Sequence, residues 1–200
     1  MPIMQDINDT AAEWLRSDKG VNKNYTHSYL EFYSMMFEHL RHQPINILEI
    51  GISKGGSMLI WDKYFDNAET KIYGIDKKYY SGWGAYLTSP RITTIVCDAT
   101  TLDPEKLKLP KFNIIIDDAS HKVRHQSAVF KLLWPLVLPS GYYIIEDNDP
   151  HENGDESIKQ LLDLHNFEVH DFRKASGRWD DVLLISKKPA LGIPGTARVQ

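Results

Sequence analysis

Apolar residues in this chain fall in short, nearly unbroken runs. They are INILEI (45–50), KIYGID (71–76), ITTIV (92–96), FNIIIDD (112–118), YYIIED (142–147), FEVHDF (167–172) and DVLLISK (181–187). Several are continuously apolar rather than alternating, as strands read when both faces of a parallel sheet are covered. Between them, SMLIWDKYF (57–65), HQSAVFKLLWPLV (125–137) and ESIKQLLDLH (156–165) carry apolar residues at helical spacing. Strands alternating with helices predict an α/β doubly wound sheet. LPSGYY sets a Pro-Ser-Gly break ahead of the fifth strand. The last two runs are joined by a polar loop without a helical pattern, which predicts a hairpin and hence an antiparallel pair. Ahead of the sheet, residues 11–41 read as helical, with Tyr29, Leu30, Tyr33, Met36, Phe37 and Leu40 on one face packed against it. The expected organisation is a single domain over 1–200: an N-terminal helical cap (1–41), a core (45–188) and a Pro/Gly-rich, loosely ordered tail (189–200).

Composition narrows the function classes. At 200 residues the chain is long enough for one well-buried core, and its apolar and charged fractions are ordinary. A net charge of -4 leaves no basic footprint for a nucleic-acid partner. Cys97 is the only cysteine, so no intrachain disulfide forms and a reducing compartment is the default. The first residues lack a secretory pattern and no apolar run is long enough to span a bilayer. The expectation is a soluble, cytoplasmic domain with no membrane partner.

The residues that carry chemistry cluster where the runs end. The first run leads into LEIGISKGGS (48–57): an acid, a glycine turn, then the start of a helix. Gly51 permits a tight turn, while Gly55 and Gly56 leave room for a ligand at the helix N-terminus. Ser53 stands where the dinucleotide pattern G-x-G-x-x-G requires its second glycine. The spacing fits E-x-G-x-x-x-G instead, and Glu49 beside the turn suits a ligand that is cationic there. A tight turn that binds nothing is the structural alternative. Asp76 closes the second strand, the position from which a carboxylate accepts ribose hydroxyls; a helix N-cap is its alternative. Asp98 in VCDAT (96–100) fits a bond to an adenine amino group and a turn-capping role alike.

The fourth and fifth strands both end in paired acids. One pair is Asp117–Asp118 in IIIDDASH (114–121), the other Glu146–Asp147 in YYIIEDNDP (142–150). Ligands bind beyond the carboxyl ends of strands in an open α/β sheet, so all four acids converge on one rim. Carboxylates in that number repel without a cation, and hard oxygen ligands suit Mg²⁺ or a similar ion. His121 follows Asp118 by three residues. A helix beginning near Ala119 sets the imidazole on the same side as that carboxylate, where it suits a general base. His125, one turn on, reads as a surface residue.

LEIGISKGGSMLIWDKYF, KIYGIDKK, FNIIIDDASHKVRHQ and GYYIIEDND together resemble the class I S-adenosylmethionine-dependent methyltransferases, over roughly Ser17 to Lys188. The subgroup most resembled is the metal-dependent macrolide sugar O-methyltransferases of the mycinamicin type, with the related "cephalosporin hydroxylase" proteins. The glycine loop is generic to the superfamily; IDD-x-SH followed by IED is far more specific. The resemblance implies a Rossmann-like, doubly wound seven-stranded sheet of order 3-2-1-4-5-7-6 with strand 7 antiparallel, behind a short N-terminal helical lead. It implies that Glu49, Gly51, Ser53, Gly55, Gly56, Ser57, Asp76, Asp98 and Ala99 surround S-adenosylmethionine, with Asp117 near its methionine end. It implies that Asp118, Glu146 and Asp147 hold Mg²⁺ or another divalent cation. Asp118 and His121 are then the catalytic pair, with His121 as general base. An N-terminal element of Asp18, Lys19, His27, Tyr29 and Tyr33 is implied to pack over the cofactor and acceptor.

The implied reaction is O-methylation of a small hydroxylated acceptor, a sugar or vicinal diol; relatives often assemble as homo-oligomers, and the sequence leaves the oligomeric state open. Three features depart from the subgroup. Ala119 stands where it usually has glycine. The acidic NDPHENGDES (148–157) replaces an aromatic loop. The helical lead stands in place of a large N-terminal domain. A catechol or phenol acceptor, and a non-catalytic cofactor-binding protein of the same fold, stay open as alternatives. Ser53 and the terminal hairpin disfavour a nicotinamide-dependent oxidoreductase.

Overall fold

Seven strands form one sheet in the order β3-β2-β1-β4-β5-β7-β6. They are β1 (Asn46–Ile50), β2 (Lys71–Asp76), β3 (Ile92–Val96), β4 (Phe112–Asp117), β5 (Val137–Ile145), β6 (Glu168–Asp171) and β7 (Val182–Lys187). The first five pair in parallel, and β7 runs antiparallel to both β5 and β6. This is the expected strand order and the expected antiparallel strand. The computed structural model describes residues 29–147, 165–178 and 181–190. The helical reading of 11–28, most of that over 156–165, and the tail beyond 190 lie outside these residues.

The unbroken apolar runs follow from cover on both faces. Alternate side chains of a strand point to opposite sides. Ile114 and Ile116 of β4 enter one core cluster, with α1 (Tyr29–Phe37) and α2 (Gly56–Tyr64). Ile115 enters the other, with α4 (Val123–Leu133). All three isoleucines are fully buried. At about 1.5–3 kcal/mol for each buried side chain, the strand behind the acid rim is firmly held. On α1, Tyr29, Leu30, Tyr33 and Phe37 are buried as the spacing predicts, while Met36 and Leu40 are only partly covered. A single helical turn, α3 (Trp83–Tyr86), lies between β2 and β3.

Four local expectations are revised. No helix begins at Ala119: His121 takes a left-handed φ of 53°, which no α-helix continues, and α4 starts at Val123. That helix ends at Leu133 rather than 137, because Pro135 lies in a 3-10 turn over Trp134–Leu136. The Pro-Ser-Gly break lies inside β5, where pairing with β4 jumps from Phe112–Val137 to Ile114–Tyr142. Ser140, at φ 62°, absorbs the irregularity. The terminal pair contains one helical turn, α5 (Arg173–Ser176). Asp171 nucleates it by accepting the Arg173 N–H at 3.0 Å and its guanidinium at 2.6 and 2.9 Å.

The sheet order reverses between β1 and β4, which leave Ile50 and Asp117 side by side at their carboxyl ends. Gly51 makes this junction close. Its φ is 89°, and a Cβ there would lie 2.5 Å from Ala119 Cα and also strike the Asp118 carbonyl. The Asp118 N–H donates to the Ile50 carbonyl at 2.9 Å across the same gap. Among the described residues, no helix is long and apolar enough to cross a membrane. Gly51→Ala should lower the unfolding free energy by at least about 2 kcal/mol in urea titrations, since it adds both a backbone clash and left-handed strain. An unchanged midpoint would mean the β1–β4 junction yields.

Candidate active site

A cavity of about 350 Å³ opens at the switch point, in the size range of small-molecule sites. Of the residues expected around the cofactor, Gly51, Ser53, Asp76, Asp98, Ala99 and Asp117 line it. Asp76 clamps the glycine loop: its Oδ2 accepts the Ser53 N–H at 2.9 Å and its Oδ1 the Lys78 N–H at 3.1 Å. Asp98 does cap its turn. Its Oδ1 takes the Thr100 hydroxyl at 2.7 Å and N–H at 2.9 Å, and these bonds hold the carboxyl below its usual range.

Glu49, Gly55, Gly56 and Ser57 are not part of that lining. Glu49 is buried behind it, its Oε2 accepting the Trp61 indole N–H at 2.6 Å. At Gly55, with φ at 88°, a Cβ would meet Leu87 Cδ1 at 2.9 Å. The missing side chain there makes room for Leu87.

Strand alternation separates the first acid pair. Asp117 continues the Ile115 side of β4 and is buried on the cavity floor. Its Oδ1 accepts the Ala119 N–H at a long 3.4 Å, and its buried Oδ2 has no hydrogen-bond partner among the described residues. Burial pushes this carboxyl up to about 7. Asp118 turns toward the other side, where His121 meets it. The Nε2 of His121 lies 3.4 Å from Asp118 Oδ1, and its Nδ1 3.7 Å from Asp147 Oδ2. The hydrogen bond to Asp118, and then the charge of Asp147, raise the imidazole to about 9 against the opposing effect of burial.

The second pair, just beyond β5, is tied to the first by the Glu146 N–H, which donates to the Asp117 carbonyl at 3.0 Å. Both side chains meet α1. The Tyr33 hydroxyl donates to Glu146 Oε1 at 2.8 Å and the Tyr29 hydroxyl to Asp147 Oδ1 at 2.9 Å. Burial, then the acids themselves, push both phenols far above their usual range, so they stay neutral donors. Among the described residues, Asp118, His121 and Asp147 form the group that could hold a metal ion, their ligand atoms all within 4.8 Å of one another. Glu146, expected as a third acid ligand, stands outside this group, and His121 stands within it.

Sequence reasoning missed several members of the site. His125, expected at the surface, is half-buried on the cavity wall, with Nδ1 2.8 Å from the Ser120 hydroxyl oxygen. It shares that wall with Asp118, Ala119 and Ser120 of the preceding loop. Lys77 and Tyr80 also line the wall, and the aromatic run after Asp76 was their visible trace. Tyr29 and Tyr33 were read as core from their spacing and, from the resemblance, as cover for the cofactor and acceptor; their rings are core and their hydroxyls reach the acid rim. Asp18, Lys19 and His27 lie outside the described residues.

Comparison with solved structures decides the family of folds. MycE methyltransferase from the mycinamycin biosynthetic pathway, solved with Mg, SAH and mycinamycin VI, superposes with a TM-score of 0.69 over 96% of this chain and 57% of its own, at 25% identity. The chain has the class I S-adenosylmethionine-dependent methyltransferase fold. Aeropyrum pernix fibrillarin, bound to S-adenosyl-L-methionine, shares this methyltransferase fold at 18% identity and a TM-score of 0.56, over 72% of this chain and 67% of its own. Curated relatives carry sugar O-methyltransferase names. One is the Streptomyces olivaceus 8-demethyl-8-(2-methoxy-alpha-L-rhamnosyl)-tetracenomycin-C 3'-O-methyltransferase, 37% identical over 60% of this chain and 32% of its own length. Another is the Micromonospora griseorubida mycinamicin VI 2''-O-methyltransferase, 34% identical over 62% of this chain and 32% of its own. The matched segments thus span about a third of those relatives. No protein-family model matches the sequence.

The indole that faces Glu49 gives a direct test of that acid's structural role. Trp61→Phe keeps an aromatic ring and removes the donor from a buried carboxylate, which should cost about 1–3 kcal/mol in chemical denaturation. Unchanged stability would mean that the Trp61 bond does not hold Glu49.

Proposed function

We propose that this chain is an S-adenosylmethionine-dependent, divalent-cation-dependent O-methyltransferase acting on a hydroxyl of a sugar or related vicinal diol. The observation that carries the reading is one juxtaposition. Asp118, His121 and Asp147 form a metal-competent cluster, and Asp118 also lines the cavity bearing Gly51, Asp76, Asp98 and Asp117. The names of the curated relatives support a sugar acceptor.

The residues suit both groups. The unpartnered buried oxygen of Asp117 fits a ligand that brings a donor or positive charge to the cavity floor, as the amino group and sulfonium of S-adenosylmethionine do. Two carboxylates and an imidazole fit a divalent cation. When bound, the cofactor supplies an electrophilic methyl group, and the cation lowers the pKa of an acceptor hydroxyl and orients it.

Asp76 is placed at the strand end from which ribose hydroxyls are bound, and Asp98 keeps its Oδ2 clear of the Thr100 turn. Asp118 and Asp147 hold the cation. Glu146 lies beside them and completes the acid set that the sequence resemblance implies. His121 takes the acceptor proton. The acids beside it hold its proton tightly, and sharing their charge with a cation loosens that hold. Positioning then supplies much of the rate gain. A second reading makes His121 itself a ligand, favoured by its membership of the 4.8 Å cluster.

Methyl transfer from labelled S-adenosylmethionine to rhamnosylated or macrolide-sugar acceptors should require added Mg²⁺ and stop in excess chelator. Full turnover in chelator would overturn the cation's role. His121→Ala should lower kcat by about 10²–10⁴-fold while cofactor affinity holds. If its Mn²⁺ affinity falls as well, the second reading is the correct one.

A further inference from the structure

Helix α1 brings two phenolic hydroxyls to the acid rim from more than a hundred residues away in sequence. Tyr29 donates to Asp147 Oδ1 at 2.9 Å and Tyr33 to Glu146 Oε1 at 2.8 Å, both in buried surroundings. The two rings are core residues. Tyr33 stacks on Phe37 at 5.4 Å and meets Trp61 edge-on at 5.6 Å, while Tyr29 meets Phe172 at 6.0 Å. Phenylalanine would fill this space as well, so packing alone does not call for the oxygens.

We propose that Tyr29 and Tyr33 are positioning residues for the cation site, fixing the Glu146–Asp147 carboxylates in the orientation that receives the ion. The inference rests on the proposed cation dependence and extends it to residues outside the acid cluster. Asp147 shows the division of labour most clearly. Its Oδ1 is held by Tyr29, while its Oδ2 faces His121 at 3.7 Å within the metal-competent group. One oxygen is tied to a rigid helix, and the other is presented to the rim. Tyr33 holds the neighbouring Glu146 through the same helix face, one turn on. Two adjacent buried carboxylates repel, and a neutral donor on each lowers the cost of keeping both charged and fixed before an ion arrives. Hydrogen bonds to ligating carboxylates commonly set metal affinity.

The structure also contains a control. Tyr64 of α2 donates its hydroxyl to the Ser34 carbonyl at 2.9 Å. That bond anchors the same helix, and the acid beside this phenol is Glu38, away from the rim. Mn²⁺ binding to the whole chain, read from the loss of the free-ion electron paramagnetic resonance signal, separates the roles. Tyr29→Phe and Tyr33→Phe should each weaken Mn²⁺ binding by about 10- to 100-fold, with near-ultraviolet circular dichroism unchanged. Tyr64→Phe should bind as the unaltered chain does. Unaltered affinity in both rim variants would overturn the inference and leave the cation reading intact. So would an equal loss in Tyr64→Phe, which would trace the effect to helix anchoring. No Mn²⁺ binding by the unaltered chain would overturn the cation reading, and this inference with it.

Discussion

Four carboxylates at the ends of two neighbouring strands are the constraint around which this structure is arranged. Buried charges of one sign are costly unless each is neutralised or given a donor. Each acid here has its own answer. Asp117 is pushed up to about 7 by burial, which favours its neutral form over a buried charge. Asp118 has the imidazole of His121 at 3.4 Å. Asp147 shares that imidazole and takes a phenol from Tyr29, and Glu146 takes the phenol of Tyr33. A helix N-terminal to the whole sheet thus becomes part of the site's electrostatics. The close β1–β4 junction, which sets the first acid pair against the glycine loop, depends in turn on Gly51.

The strands were legible because cover on both faces leaves a plain trace in the sequence. In β4, Ile114 and Ile116 serve one core cluster and Ile115 the other, so no polar residue interrupts the run. The reversal of order between β1 and β4, which opens the cavity, came from the resemblance rather than from periodicity. Backbone detail was illegible where non-glycine residues turn left-handed. His121, Ser140 and Asp147 all have positive φ. No residue-type signal separates a histidine that turns a loop left-handed from one that opens a helix.

The site's chemistry was legible at the level of residue types and less so at the level of partners. The acids, the glycine loop and His121 stood out because each is an unusual residue at a strand end. Glu49 stood out for the same reason, and its carboxylate accepts the Trp61 indole N–H. Tyr29 and Tyr33 carried two readings, core from their helical spacing and cover for the cofactor and acceptor from the resemblance. Amphipathic aromatic side chains satisfy two roles at once, and a hydrophobic pattern registers only the ring. His125 was read as a surface residue one turn beyond His121, yet it lines the cavity wall.

The tyrosine–acid bonds also bear on the order in which the molecule is assembled. They join positions 118 and 113 residues apart. Contacts of such separation carry a large loop-closure cost and form late in folding. As the chain is made, β1 to β4 can pair and enclose most of the cavity before β5 exists. The acid rim acquires its second pair, and α1 its two anchors, only when residue 147 is in place. The cavity is therefore the earlier part of this domain, and the cluster that gives it chemistry closes after it.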